Sequence, residues 1–171
     1  MNRNAALGRR FDSEGLFSGR PCKAVFFLEH PMSLPNWYEL ALAERGVKEA
    51  PGTVNNPKVQ TYYREAGHPE VIHDSVPWCA AFVGAMLQRA GLKGTGALNA
   101  RSYLVWGRKL SAPKQGCVVI FARGNSAWQG HVAFFDHWER DKLVCLGGNQ
   151  SDRVCFASYP KSRVLGYRWP S

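Results

Sequence analysis

Residues 74–91 read DSVPWCAAFVGAMLQRAG, and their spacing decides the fold class. Phe82, Val83, Met86, Leu87 and Ala90 recur at i, i+3 and i+4, the stripe of a helix that buries a face. Asp74 or Ser75 is placed to cap this helix, Pro77 suits its first turn, and Gly91 stops it. Two more helices are expected upstream. WYELALAERG follows Pro35 and Asn36 and stops at Gly46; residues 57–66, carrying Val59, Tyr62 and Tyr63, close at Gly67. The turn-rich PGTVNNP (51–57) joins them. A further helix is expected around 98–109.

The texture changes after Pro113. CVVIFA (117–122), HVAFFD (131–136), KLVCLG (142–147), RVCFAS (153–158) and VLGYRW (164–169) are short runs rich in β-branched and aromatic residues, separated by turn residues. Helices first and a meander of strands after them predict an α+β domain, with N-terminal helices packed on a C-terminal antiparallel β-sheet over 34–171. Residues 1–33, rich in Gly, Arg and Ser, read as a weakly structured N-terminal arm, and Met32 as an alternative start.

Composition narrows the function. The chain has 171 residues, 45% hydrophobic and 20% charged, enough for one domain with a real core. Lys and Arg number 22 against 13 Asp and Glu, a net charge of +9. That excess favours polyanions, but the basic residues are dispersed. Contact with an anionic cell surface is therefore expected, and a nucleic-acid groove is not. No apolar run reaches the length of about 18 residues that a membrane helix requires. The basic N-terminus lacks an apolar segment of the secretory type, so synthesis in the cytoplasm without a signal peptide is expected. The five cysteines, at 22, 79, 117, 145 and 155, form no CxxC pair, and their odd number argues against a disulfide framework. Neither metal nor organic cofactor is expected.

One cysteine has a distinctive setting. Cys79 falls in the first turn of its predicted helix, where free backbone N–H groups and the helix dipole favour a thiolate and can hold an oxyanion. Position alone leaves a small buried core residue an equally good reading. His131 adds weight, because it follows Gly130 and opens a strand, whereas His30, His68, His73 and His137 lie in loops or near turns. Pairing 131–136 with 142–147 through the turn HWERD sets 136 opposite 142 and 131 opposite 147. Asn149 then shares the parity of His131, on one face, where it could fix the tautomer of the imidazole. Gly147 and Gly148 would let a substrate approach the backbone.

PWCAAFVGAML, GHVAFF, LGGNQSD and RVLGYRWP, in that order, resemble CHAP and NlpC-type cysteine peptidases, and within them a small phage- and prophage-associated family. The resemblance runs from Leu34 to Ser171. It implies a papain-like fold and hydrolysis of amide bonds in peptidoglycan, within the stem peptide or between peptide and sugar. It implies Cys79 as nucleophile, His131 as base and Asn149 as third member; position 147, where many CHAP enzymes would carry Glu, is Gly. Trp78 could line the substrate groove or be a core aromatic. Gln150 could bind substrate or form a turn, and Glu49 and Asn56, around the PGTVNNP loop, are candidate substrate contacts. A monomeric, endolysin-like enzyme is the expectation. Its rivals are an inactive wall-binding or structural phage protein, an acyl transferase on the same scaffold, and a basic nucleic-acid-binding protein.

Overall fold

A computed structural model describes residues 33–171; the expected arm, save Ser33, and the alternative start at Met32 lie outside them. Among the described residues, helices α1 (Asn36–Ala43), α2 (Pro57–Glu65) and α3 (Cys79–Arg89) precede the sheet, as the patterning predicts. Asn56 caps α2 by accepting the Lys58 N–H at 2.9 Å, with Pro57 in the first turn. The expected cap of α3 does not form. The Asp74 carboxylate accepts the backbone N–H groups of Ala50 (2.8 Å) and Asn56 (2.9 Å), so it braces the PGTVNNP loop instead. Helix α3 starts at Cys79 with no side-chain cap.

Every residue of α3 from Cys79 to Leu87 is buried. The helix is wedged between α2 and the sheet by an aromatic series. Tyr62 lies 5.9 Å from Trp78 and 5.4 Å from Phe82, and Phe82 lies 6.3 Å from Phe134. The helix expected at 98–109 is shorter, a 3-10 turn over Ala100–Val105 capped by Asn99. It cannot continue through Gly107, where φ is +56° and a Cβ would sit 2.4 Å from the Trp169 carbonyl oxygen. The chain then enters a short strand that sequence patterning does not reveal.

That strand is β1 (Arg108–Leu110), followed by β2 (Val118–Ala122), β3 (Gly130–Glu139), β4 (Lys142–Gly147), β5 (Cys155–Pro160) and β6 (Val164–Trp169). They form one antiparallel sheet in the order β1-β6-β2-β3-β4-β5. Alternation divides its residues between two clusters. Val118, Ile120, Val132, Phe134 and Leu146 join the cluster of the helices, while Cys117, Val119, Phe121, Ala133, Phe135 and Cys145 form a second. Tyr159 of β5 stacks on Phe121 of β2 at 4.4 Å within that second cluster.

The β3–β4 hairpin corrects the expected register. Phe134 pairs with Leu146 and Phe135 with Cys145; a bulge at Asp136 then shifts the pairing to His137–Val144 and Glu139–Lys142. The strand consumes His137–Glu139, leaving a turn of Arg140 and Asp141, with Arg140 at φ +55°. The bulge frees the Asp136 carboxylate to accept from Tyr38, from Gln115 at 2.9 Å, and to meet His137 at 2.6 Å.

Candidate active site

A cavity of about 780 Å³ opens where the start of α3, the first residues of β3 and the loop after β4 meet, and Cys79 and His131 both line it. Cys79 is 7% exposed. As the first residue of an uncapped helix it is followed by N–H groups without intrahelical acceptors; the first helical bond is that of Phe82 to Trp78. Burial pushes the Cys79 thiol above its ordinary range, while the N–H groups of Val132, Ala80 and Cys79 itself, and the charge of Arg123, pull it back down. The resting thiol is therefore protonated, unlike the thiolate that the helix position alone suggests. Among the described residues the thiol and the imidazole share the cavity with no hydrogen bond joining them.

Gln150 determines the tautomer of His131. Its Nε2 donates to the carbonyls of Cys155 and, at 3.3 Å, Cys145, which forces Oε1 toward the ring. Oε1 accepts from the Tyr159 hydroxyl at 2.8 Å and faces His131 Nε2 at 3.0 Å. An acceptor there requires a proton on Nε2 and leaves the lone pair on Nδ1. Burial lowers the His131 pKa to about 4; the Gln150 bond opposes this, and the charges of Arg163 and Arg123 add to it. Phe121 and Tyr159 hold the ring plane, with centroids 6.3 and 5.4 Å away.

The bond to His131 expected of Asn149 is thus made by its neighbour. Had strand pairing continued, Asn149 would sit opposite His131, but β4 ends at Gly147 and Asn149 turns away at φ +56°. Asn149 lines the cavity wall. Gly147 supplies the room: a Cβ there would lie 2.9 Å from Gln150 Oε1 and 2.8 Å from Ala133 Cβ. The side chain that orients the ring enters from beyond the strand, through space vacated at position 147. Gly148 serves packing and not substrate approach, since a Cβ would come within 2.6 Å of both Phe82 and Trp78.

Trp78 is fully buried and off the cavity wall, which decides between its two readings in favour of the core. Its indole N–H donates to Glu49 Oε1 at 2.7 Å. Glu49 does line the cavity; burial raises its carboxyl pKa, the indole bond opposes this, and Asp152 and Asp74 add to the rise. Asn56 is occupied as the α2 cap and donates to the Lys48 carbonyl at 2.7 Å, away from the wall. Sequence reasoning did not single out Arg123, Arg163, Tyr159 or Trp128, all on this wall; Trp128 is 68% exposed. An unpaired aromatic in a polar loop, GNSAWQG, was the one available signal. Among the described residues no three His, Cys, Asp or Glu side chains converge as a metal ion requires, and no helix is long and apolar enough to cross a membrane.

Comparison with known proteins bears on this constellation. Residues 71–149, which include Cys79 and His131, match the CHAP domain. No curated protein sequence matches the chain. Among solved structures, the fold is similar to a Staphylococcus aureus protein described as similar to a lipoprotein of the NLP/P60 family, at 16% identity and a TM-score of 0.39. That match covers 73% of this chain and 45% of the staphylococcal one, so the chain spans less than half of that protein's length.

Proposed function

We propose that this chain, whose residues 71–149 match the CHAP domain, is a peptidoglycan-acting hydrolase that cuts amide bonds of cell-wall peptides through Cys79, His131 and Gln150. The observation that carries the reading is the fixed tautomer of His131, which leaves the lone pair on Nδ1, in a residue that lines the same cavity as Cys79. In this reading a substrate carbonyl enters beside the uncapped start of α3. His131 Nδ1 takes the thiol proton as sulfur attacks, and the free N–H groups of the first helical turn receive the oxyanion. The imidazolium, held by Gln150, then protonates the leaving amine, and water activated by the same ring releases the acyl half from the thioester. Asn149 provides the left-handed turn that swings Gln150 back toward the ring, a role in place of the third-member role expected from parity.

The reaction needs only this neutral pair and water. An endolysin-like, bacteriolytic role is the biological setting we propose, on the resemblance of four motifs to a phage- and prophage-associated family. The net charge of +9 then serves to hold the enzyme at an anionic cell surface. The test is digestion of purified sacculi followed by mass spectrometry of the released muropeptides. A new amino group inside the peptide portion indicates an endopeptidase; a new amino terminus at the residue formerly joined to the lactyl group, with sugars freed of peptide, indicates an amidase. Cys79→Ala should abolish either product, and products that persist in that variant refute the proposal.

A further inference from the structure

We propose that Arg123 and Arg163 form a carboxylate-binding subsite beside His131, so that the enzyme selects peptides whose leaving half carries a free carboxylate. This rests on the peptidase reading above and deepens it.

The charges lining the cavity are segregated. Asp152 and Glu49 both line the wall, and the Asp152 charge acts on Glu49, while the charges of Arg123 and Arg163 act on His131. Neither arginine belongs to any ion pair among the described residues. Arg163 is nonetheless fixed. Its Nε and one Nη both donate to the Ala122 carbonyl, at 3.1 and 3.0 Å, and its guanidinium lies 5.3 Å from the centre of the Tyr159 ring. One edge of the fork is engaged, and the other nitrogen remains for a ligand. Arg123 follows Ala122 directly and is exposed. A fixed cation bonded at Ala122 and an exposed one on the next residue thus line one cavity, the components of a site for a planar anion.

Without an anion, the two charges act against the imidazolium. Two cations beside an imidazole oppose the protonation that the reaction requires. A substrate carboxylate bound between them would offset their field and make His131 the stronger base at the moment of use. His131 hands its proton to the leaving amine, so groups flanking it flank the leaving half. Trp128, in the same β2–β3 loop as Arg123 and on the same wall, offers an apolar surface for the backbone or side chain of that half. Stem peptides are rich in free carboxylates, and amidation of those groups is a simple chemical change to test.

The experiment uses two synthetic stem peptides, identical except that the carboxylate of the leaving half is free in one and a primary amide in the other. Wild-type kcat/KM should favour the free acid by about 10- to 100-fold, the range of a charge-assisted hydrogen bond. Arg123→Gln should bring the ratio toward one, and Arg123→Lys should keep part of it. The preference should also shrink as salt rises from about 0.05 to 0.5 M, because Arg123 is exposed. Equal cleavage of both peptides by the wild type, or an unchanged ratio in Arg123→Gln, overturns the subsite and leaves the peptidase reading standing. Absence of Cys79-dependent cleavage of either peptide overturns both.

Discussion

Replacing Gln150 by alanine asks which residue orients the imidazole. In the resting site its Oε1 receives the His131 N–H at 3.0 Å. Once the ring carries a proton that bond becomes charge-assisted, worth about 1.5–3 kcal/mol, so its loss should lower kcat/KM by about 10- to 150-fold. The same change strips the Cys145 and Cys155 carbonyls and the Tyr159 hydroxyl of a partner. A further loss of about 1–3 kcal/mol in stability is therefore expected. The assay should be run at low temperature on protein shown to be folded by circular dichroism, following peptide release from sacculi. The control is Asn149→Gly, which keeps the φ of +56° accessible and removes only the side chain; its activity should stay within about threefold of wild type. If Asn149→Gly is the more damaged of the two, or Gln150→Ala loses stability but not turnover, the assignment of Gln150 is refuted.

Four other outcomes follow from the structure. His131 titrates at about 4 in the folded protein against 6.5 for a free side chain, so between those values the unfolded chain binds a proton that the folded one does not. Stability should therefore fall by about 3 kcal/mol as pH drops through that window and then level off with respect to this group; denaturant melts at pH 7 and about 4.5 should show a steeper loss in wild type than in His131→Gln. The acid limb of kcat/KM should lie near pH 4, and if a substrate carboxylate offsets the arginines the limb of kcat should lie above it. Gly148→Ala drives a Cβ to 2.6 Å from Phe82 and Trp78 and should cost about 1–3 kcal/mol, read as a lower melting temperature. Asp74→Ala orphans two backbone N–H groups in the loop beside Glu49 and should cost about 2–4 kcal/mol by the same measurement.

The succession of elements was legible because apolar periodicity is a local property. The five strands expected after Pro113 match β2 to β6 to within two residues at most ends; β3, which runs on to Glu139, is the exception. What local pattern could not show was the behaviour of the chain at strand ends. The two-residue turn at Arg140–Asp141 and the bulge at Asp136 together moved the hairpin register by two positions, since Tyr38 and Gln115, distant in sequence, reward the bulge. Parity identifies a face only while the strand lasts. Beyond Gly147 it named Asn149, while the side chain that reaches the ring belongs to Gln150, one residue later. Arg123 and Arg163 lie forty positions apart in a chain of dispersed basic residues; the β2–β6 pairing brings Arg163 to the carbonyl of Ala122, the residue before Arg123.

The site's electrostatics point to where its stabilisation is applied. Burial holds the thiol of Cys79 protonated and the imidazole of His131 neutral, so the ground state carries no ion pair. Yet the surrounding dipoles suit an ion pair: the uncapped start of α3 and the Val132 N–H face the sulfur, and the Gln150 oxygen faces the ring N–H. Fixed dipoles of this kind gain little from two neutral groups and much from the thiolate and imidazolium that proton transfer creates. In the proposed reaction, the folding energy that locks Gln150 onto two backbone carbonyls would be directed at charge that exists only while the proton is transferred. The arginines work against that charge on the ring, and a carboxylate on the substrate is the component that would bring the balance back.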